Sequence, residues 1–138
     1  MQGEREVVEL HATFAALEEG LEILHRSVDQ LRESSGRGAD DIALIQFETA
    51  LAEIGGNALG HSGTTANKPV EYVLRWNAHK VVAWIVDPGP AVNGAWVRDM
   101  PPPTSEAGRG LPLARSLLDE LHYERVGGLN RWRLVKHL

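Results

Sequence analysis

Polar side chains recur every four residues in the middle of the chain, at Glu53, Asn57 and His61. On a helix this spacing places them on one face. The amide oxygen of Asn57 suits Mg²⁺, which prefers oxygen ligands and keeps several of its waters. Glu53, one turn earlier, can accept a proton from a hydroxyl or water that attacks a phosphate. His61 can contact phosphates or cap the helix, and an ordinary polar pair on a solvated face would show the same spacing.

A turn with an aspartate follows the most apolar stretch of the chain. Asp87-Pro88-Gly89 comes directly after residues 81–86, which are apolar and rich in valine. A carboxylate at that strand end can accept a hydrogen bond from an exocyclic amine such as that of adenine. Gly89 lets the backbone turn closely against a base. These residue types are also common in turns that merely end a strand.

A second glycine turn, Gly108-Arg109-Gly110-Leu111, precedes a helical pattern. Free backbone N–H groups and the dipole at a helix N-terminus favour anions, and Arg109 adds a mobile cation. The segment is not a P-loop, because no Gly-Lys-Ser/Thr follows. By itself it could be a flexible hinge. In this order along the chain, however, the polar helix face and the two turns predict one nucleotide site.

The elements that must position these residues follow from hydrophobic periodicity. The predicted strands cover residues 6–14, 70–76, 81–86 and 130–136, and the middle two form an antiparallel hairpin. The predicted helices run from Leu17 to a stop at residues 34–38, from Asp40-Asp41 to His61, and from Leu111 to Leu121. Strands grouped between helices indicate an α+β fold, a two-layer sandwich with helices on one face of a mixed, mostly antiparallel sheet.

Gly55 and Gly56 lie inside the second predicted helix. Each glycine there costs roughly 1 kcal/mol relative to alanine. The pair therefore predicts that another group approaches the helix backbone closely at this point.

Composition narrows the class of protein. The chain has 138 residues, of which 43% are hydrophobic and 24% charged, and this predicts a single domain over residues 1–138. It has no cysteine, which excludes disulfides and thiolate zinc sites. The net charge of −5 argues against direct nucleic-acid binding. No apolar run approaches the ~20 residues of a membrane span, and the N-terminus is too polar for a signal peptide, so the expected location is cytoplasmic.

These motifs resemble those of the GHKL superfamily of ATP-binding domains. That superfamily has an N-box with Glu and Asn four residues apart, a strand-ending Asp-x-Gly, and a later Gly-x-Gly before a helix. The short chain and the form of the motifs look most like the anti-sigma-factor serine/threonine kinases. The matching residues are Glu53, Asn57, Asp87, Gly89, Gly108 and Gly110.

The resemblance implies a Bergerat-type ATP fold with a mobile lid over about residues 88–110, and Mg²⁺ and ATP as cofactors. Glu53 would be the general base, Asn57 the magnesium ligand and Asp87 the residue that recognises adenine. The family's usual substrate is a serine or threonine on a small anti-anti-sigma (STAS) protein. Its other partner is a sigma factor, and homodimers are common. The implied cofactor-binding set is completed by His61, Gly89, Gly108, Arg109, Gly110 and Leu111.

The chain departs from the family pattern near the base pocket. Ala91 stands where a second glycine is common after Gly89. Asn130 and Arg131 stand where a threonine near the last strand often helps to recognise adenine. By the family pattern, Ala91 would weaken the hinge of the lid, and Asn130 and Arg131 would replace the threonine contact with adenine.

Two other functions fit the same motifs. One is the catalytic ATP-binding domain of a sensor histidine kinase. Such a domain normally follows a pair of helices that carries a phosphoacceptor histidine. His25 lies on a predicted helix, but no acidic residue follows it and no second helix of such a pair is predicted. The other is a non-catalytic module that uses ATP only to set its conformation. Nucleotide affinity would separate that module from the two kinases.

Overall fold

The computed structural model describes residues 7–60, 68–92 and 110–138. Within these ranges the chain forms five strands and three helices. They are β1 (Val8–Phe14), α1 (Leu17–Ser35), α2 (Ile42–Gly60), β2 (Val70–Trp76), β3 (Lys80–Asp87), α3 (Gly110–Leu117), β4 (Glu120–Val126) and β5 (Leu129–His137). None of the helices in these ranges is long and apolar enough to cross a membrane.

The strands form one sheet in the order β1-β2-β3-β5-β4, with helices packed on one face. The predicted α+β class is therefore confirmed. Every described strand pair is antiparallel. The predicted hairpin is the β2–β3 pair, and Asn77 closes its turn. The Asn77 side-chain oxygen accepts hydrogen bonds from the backbone N–H of His79 at 2.8 Å and of Lys80 at 3.0 Å.

The start of α2 is fixed by a side-chain cap. Oδ1 of Asp41 accepts a hydrogen bond from the backbone N–H of Leu44 at 3.1 Å. This bond satisfies one of the free donors of the first turn. It is also the main cause that lowers the pKa of the Asp41 carboxyl below its ordinary value, with the Arg37 guanidinium adding to the effect. The predicted start at Asp40-Asp41 is confirmed to within a residue.

The apolar stripes of the two long helices pack onto the sheet. The helical period predicts an apolar stripe from Leu44 to Ala58 on α2, and every member of it is buried. It also predicts a stripe from Leu17 to Leu31 on α1, which is buried from Leu24 to its end, whereas Leu17 at its start is 48% exposed. The buried residues of these two stripes are Leu24, Val28, Leu31, Leu44, Phe47, Leu51, Ile54 and Ala58.

The third predicted helix was wrong at its C-terminal end. It was predicted to reach Leu121, but α3 ends at Leu117 and the chain enters β4 at Glu120. The backbone N–H of Asp119 already donates to the Val135 carbonyl at 2.9 Å, which joins the chain to β5. Leucines at 117, 118 and 121 fit a helical period. Leu121 and the half-buried Tyr123, however, alternate with exposed polar residues, which is the strand period.

Only one of the two helix glycines has a packing reason. A Cβ built at Gly55 would collide with the Leu24 side chain of α1. At Gly56 nothing in the described part of the chain lies within 4 Å of such a Cβ. The predicted close approach is thus confirmed at Gly55, where the approaching group belongs to the protein's own core.

Candidate functional site

The glycine at the start of α3 lies directly against the glutamate of α2. A Cβ built at Gly110 would lie 2.6 Å from Oε2 of Glu53. Only a residue without a side chain allows the carboxylate to occupy this position. The helix dipole favours a negative charge near the N-terminus of α3. The first and third sequence motifs, more than fifty residues apart, therefore meet in space.

Asn57 lies one turn after Glu53 on α2 and is partly exposed, as Glu53 is. Leu111 is partly buried and packs against the core beside Gly110. We call Glu53, Asn57 and Gly110 the phosphate end of the candidate site. The other residues predicted here, His61, Gly108 and Arg109, lie outside the described residues, as do residues 93–109 of the lid that was predicted over about residues 88–110.

Asp87 ends β3 as predicted and is only 3% exposed. Its Oδ1 accepts a hydrogen bond from the backbone N–H of Gly89 at 2.8 Å, an Asx-type turn that fixes the chain after the strand. Gly89 is itself buried. The turn interpretation and the binding interpretation of this motif are compatible, because the turn orients the carboxylate.

Asn130 of β5 is the residue directly opposite Asp87 in the sheet. It is 2% exposed, and its Nδ2 donates to Asp87 Oδ1 at 3.1 Å and to the Pro90 carbonyl at 2.8 Å. Its Oδ1 accepts from the Tyr123 hydroxyl at 2.5 Å and from Arg125 Nη1 at 3.0 Å. The residue that departs from the family's threonine thus contacts Asp87 directly.

Two residues of β4 extend this network to the chain that follows β3. Nη1 of Arg125 also donates to the Gly89 carbonyl at 2.6 Å, and the Tyr123 hydroxyl accepts from the backbone N–H of Val92 at 2.9 Å. The Tyr123 ring lies against Trp132, with centroids 4.6 Å apart. We call Asp87, Gly89, Asn130, Tyr123 and Arg125 the base end of the site.

The sequence analysis did not identify Tyr123 and Arg125, because it predicted no strand between the helix end at Leu121 and the last strand at residue 130. A signal was available. The Gly127-Gly128 turn joins β4 to β5, and both glycines adopt positive φ of 58° and 78°. Counting outward from such a two-residue hairpin pairs Arg125 with Asn130 and Tyr123 with Trp132.

Helix α2 contacts the elements that carry both ends of the candidate site. It packs against α3 on one side and against β3 and β5, the strands of Asp87 and Asn130, below. A carboxylate next to a helix N-terminus and a buried carboxylate at a strand end can serve different parts of a nucleotide. The first can act on a transferred phosphoryl group, and the second can accept a hydrogen bond from a base.

Two grooves lie on the opposite face of the sheet. In the described part of the chain, a groove of about 450 Å³ is lined by β1, β2 and β3, and one of about 340 Å³ by β3, β5 and β4. Trp84 lines both. Neither groove is lined by the carboxylates of the candidate site.

Comparisons with known proteins agree on the fold. The family model "Histidine kinase-like ATPase domain" matches residues 14–136. A crystal structure of the RsbU and RsbW domains of Rv1364c from Mycobacterium tuberculosis is similar, with TM-score 0.66 and 18% identity over 95% of this chain and 33% of that chain. The catalytic domain of histidine kinase ThkA is similar too, with TM-score 0.55 and 13% identity over 96% of this chain and 95% of that one.

At these identities, the two structures share the fold alone with this chain. The chain spans about a third of the length of the chain that holds the RsbU and RsbW domains. No curated protein sequence matches it.

Proposed function

Because the chain belongs to the histidine kinase-like ATPase domain family, we propose that it is an anti-sigma factor with serine/threonine protein kinase activity. The family implies ATP binding. The proposed reaction transfers the γ-phosphoryl group of Mg-ATP to a serine or threonine of an anti-anti-sigma (STAS) protein. In the same proposal the chain sequesters a sigma factor, forms a homodimer and works in the cytoplasm.

The contact between Glu53 and Gly110 is the observation that supports catalysis. A module that uses ATP only for its conformation has no need of a carboxylate at this place. Here a partly exposed carboxylate lies at the N-terminus of the helix that follows the glycine motif. A carboxylate so placed can accept the proton of an attacking hydroxyl.

The residues present fit Mg-ATP in type. Asn57 offers an uncharged amide oxygen for Mg²⁺, which avoids adding a negative charge beside a triphosphate. Asp87 is a buried hydrogen-bond acceptor suited to the exocyclic amine of adenine. His61, Gly108, Arg109, Gly110 and Leu111 complete the proposed cofactor-binding set with Gly89. Bound Mg-ATP would supply the phosphoryl group, Mg²⁺ would offset its charge, and Glu53 would receive the proton of the acceptor hydroxyl.

The direct test incubates the chain with γ-labelled ATP, Mg²⁺ and an extract of the source organism, with Asn57→Ala as control. Acid-stable label on a small second protein, absent with the control, is expected. Its identification would name the substrate. Absence of label on any protein, with ATP still bound, would contradict the kinase proposal and favour the nucleotide-gated module.

A second candidate is the catalytic domain of a sensor histidine kinase. It is favoured by the similarity to ThkA over 95% of that catalytic domain. His25 of α1 is an exposed histidine whose Nδ1 lies 2.8 Å from Glu48 Oε2 on α2. Label that is removed by acid, on this chain or on a longer partner, would favour this function over the serine/threonine kinase.

A further inference from the structure

All the hydrogen-bond donors and acceptors of the Asn130 side chain have partners within the protein. A carboxamide offers two N–H donors and two acceptor positions. The donors of Asn130 serve Asp87 Oδ1 and the Pro90 carbonyl, with the Gly89 carbonyl at a longer 3.4 Å. Both acceptor positions are taken by Tyr123 and Arg125. Asn130 therefore has no group left for a base.

Only one of the two carboxylate oxygens of Asp87 takes part in the same network. Its Oδ1 accepts both printed hydrogen bonds, from Gly89 and from Asn130. No donor within residues 7–60, 68–92 and 110–138 reaches Oδ2. Oδ2 is not a fully buried atom, so this oxygen of the 3% exposed residue remains accessible to a donor from a ligand.

The same side chains hold the backbone that leaves the site. Asn130 fixes Pro90, Arg125 fixes Gly89, and Tyr123 fixes Val92. Ala91, which stands where the family often has a glycine, lies within this held segment. The β4–β5 hairpin thus holds residues 89–92 in place and occupies one of the two oxygens of Asp87.

We propose that Asn130 is a positioning residue for base recognition: it fixes the carboxylate of Asp87, already proposed as the adenine contact, so that Oδ2 is the oxygen left for the ligand. The inference rests on the proposed ATP binding, and it states which nucleotide bases the site selects. An acceptor at this point favours bases with an exocyclic amine, such as adenine. It rejects bases with a carbonyl there, such as hypoxanthine, because two acceptors would face each other.

The test measures equilibrium dissociation constants for ATP and ITP, which differ in that amine. The proteins are the full chain, Asn130→Ala, Asp87→Ala and the double variant. The full chain should prefer ATP by about 100-fold, and Asn130→Ala should lower that preference about tenfold. In the Asp87→Ala background the Asn130→Ala change should have almost no further effect, since Asn130 acts through Asp87.

A pair of tyrosines separates positioning from general stability. Tyr123→Phe removes the hydroxyl that joins Asn130 to Val92 while it keeps the ring against Trp132. Tyr72→Phe removes a comparable buried hydroxyl, bonded to Ser27 Oγ at 2.7 Å in the core. Both should lower thermal stability, but only Tyr123→Phe should lower the ATP-to-ITP preference, by a few fold. Tyr123→Phe also tests the proposal if Asn130→Ala does not fold.

The outcomes distinguish this inference from the proposed function. An unchanged ATP-to-ITP preference in Asn130→Ala and Tyr123→Phe would overturn the positioning role and leave the kinase proposal standing. Equal affinity of the full chain for ATP and ITP would overturn the role of Asp87 Oδ2. A lowered preference in a protein that transfers no phosphoryl group would support the inference and count against the kinase.

Discussion

The base end of the site is closed by the protein itself, whereas the phosphate end is left with a carboxylate in contact with a glycine. At the base end, Asp87 and Asn130 are almost completely buried and are bonded to each other and to the β4–β5 hairpin. At the phosphate end, Glu53 and Asn57 are partly exposed on one helix, and Glu53 touches Gly110. In the proposed function, base recognition would rest on buried groups that the protein holds in place, and phosphoryl transfer on groups that remain accessible.

The two ends of the site differ in the energetic cost of burying their polar groups. Buried polar groups must be hydrogen-bonded, so the base end holds its geometry without a ligand. The partly exposed carboxylate of Glu53 is solvated by water and therefore needs no protein donor. Substitutions at the base end should therefore change nucleotide affinity and selectivity, and substitutions at the phosphate end should change transfer.

The largest effect should come from Glu53→Gln. The amide keeps the shape of the side chain but cannot accept a proton, so phosphoryl transfer should fall by about 10²- to 10⁴-fold. Affinity for ATP should stay within a few fold of that of the unmodified chain. Single-turnover transfer and equilibrium binding, measured on one preparation, check both parts. Transfer at an undiminished rate would remove Glu53 from the role of general base.

A smaller effect should come from Gly110→Ala. The new methyl group would lie 2.6 Å from Glu53 Oε2, so the end of a flexible side chain must move. Displacement of a reacting group by about 1 Å can cost up to about 100-fold, and we expect a loss of roughly 10- to 100-fold in transfer. Thermal stability should hardly change. A normal transfer rate would show that the contact between Glu53 and Gly110 is not required for catalysis.

The smallest effect on transfer is expected from the paired glycines of α2, which serve as matched controls for stability. Gly55→Ala should lower the free energy of unfolding by about 1–3 kcal/mol, because its methyl group collides with Leu24. Gly56→Ala should raise it by up to about 1 kcal/mol, since that side of the helix is open in the described structure. Urea denaturation measures both. If Gly56→Ala stabilises the chain yet weakens ATP binding, the ligand approaches the phosphate end at Gly56.

Much of the fold was predictable because its signals are local. The stripe from Leu44 to Ala58 repeats with the helical period, and Asp41 is a typical N-cap residue. The β2–β3 hairpin followed from alternation and a turn at Asn77. Residues 118–121 were wrongly predicted as helix, and β4 was missed, because the leucines of this segment fit both periods. Pairing with β5, a contact with the C-terminal strand, determines its conformation.

The amino-acid sequence was enough to predict which chemical groups the site can use: a helix with Glu53 and Asn57, a strand that ends at Asp87, and glycines before a further helix. These predictions need only the spacing of residues along the chain. The contacts that those groups make depend on the tertiary structure. Strand register placed Asn130 against Asp87, 43 residues away, and packing of α3 on α2 placed Gly110 against Glu53. Such contacts depend on how separate elements dock, and no local pattern of residues encodes that docking.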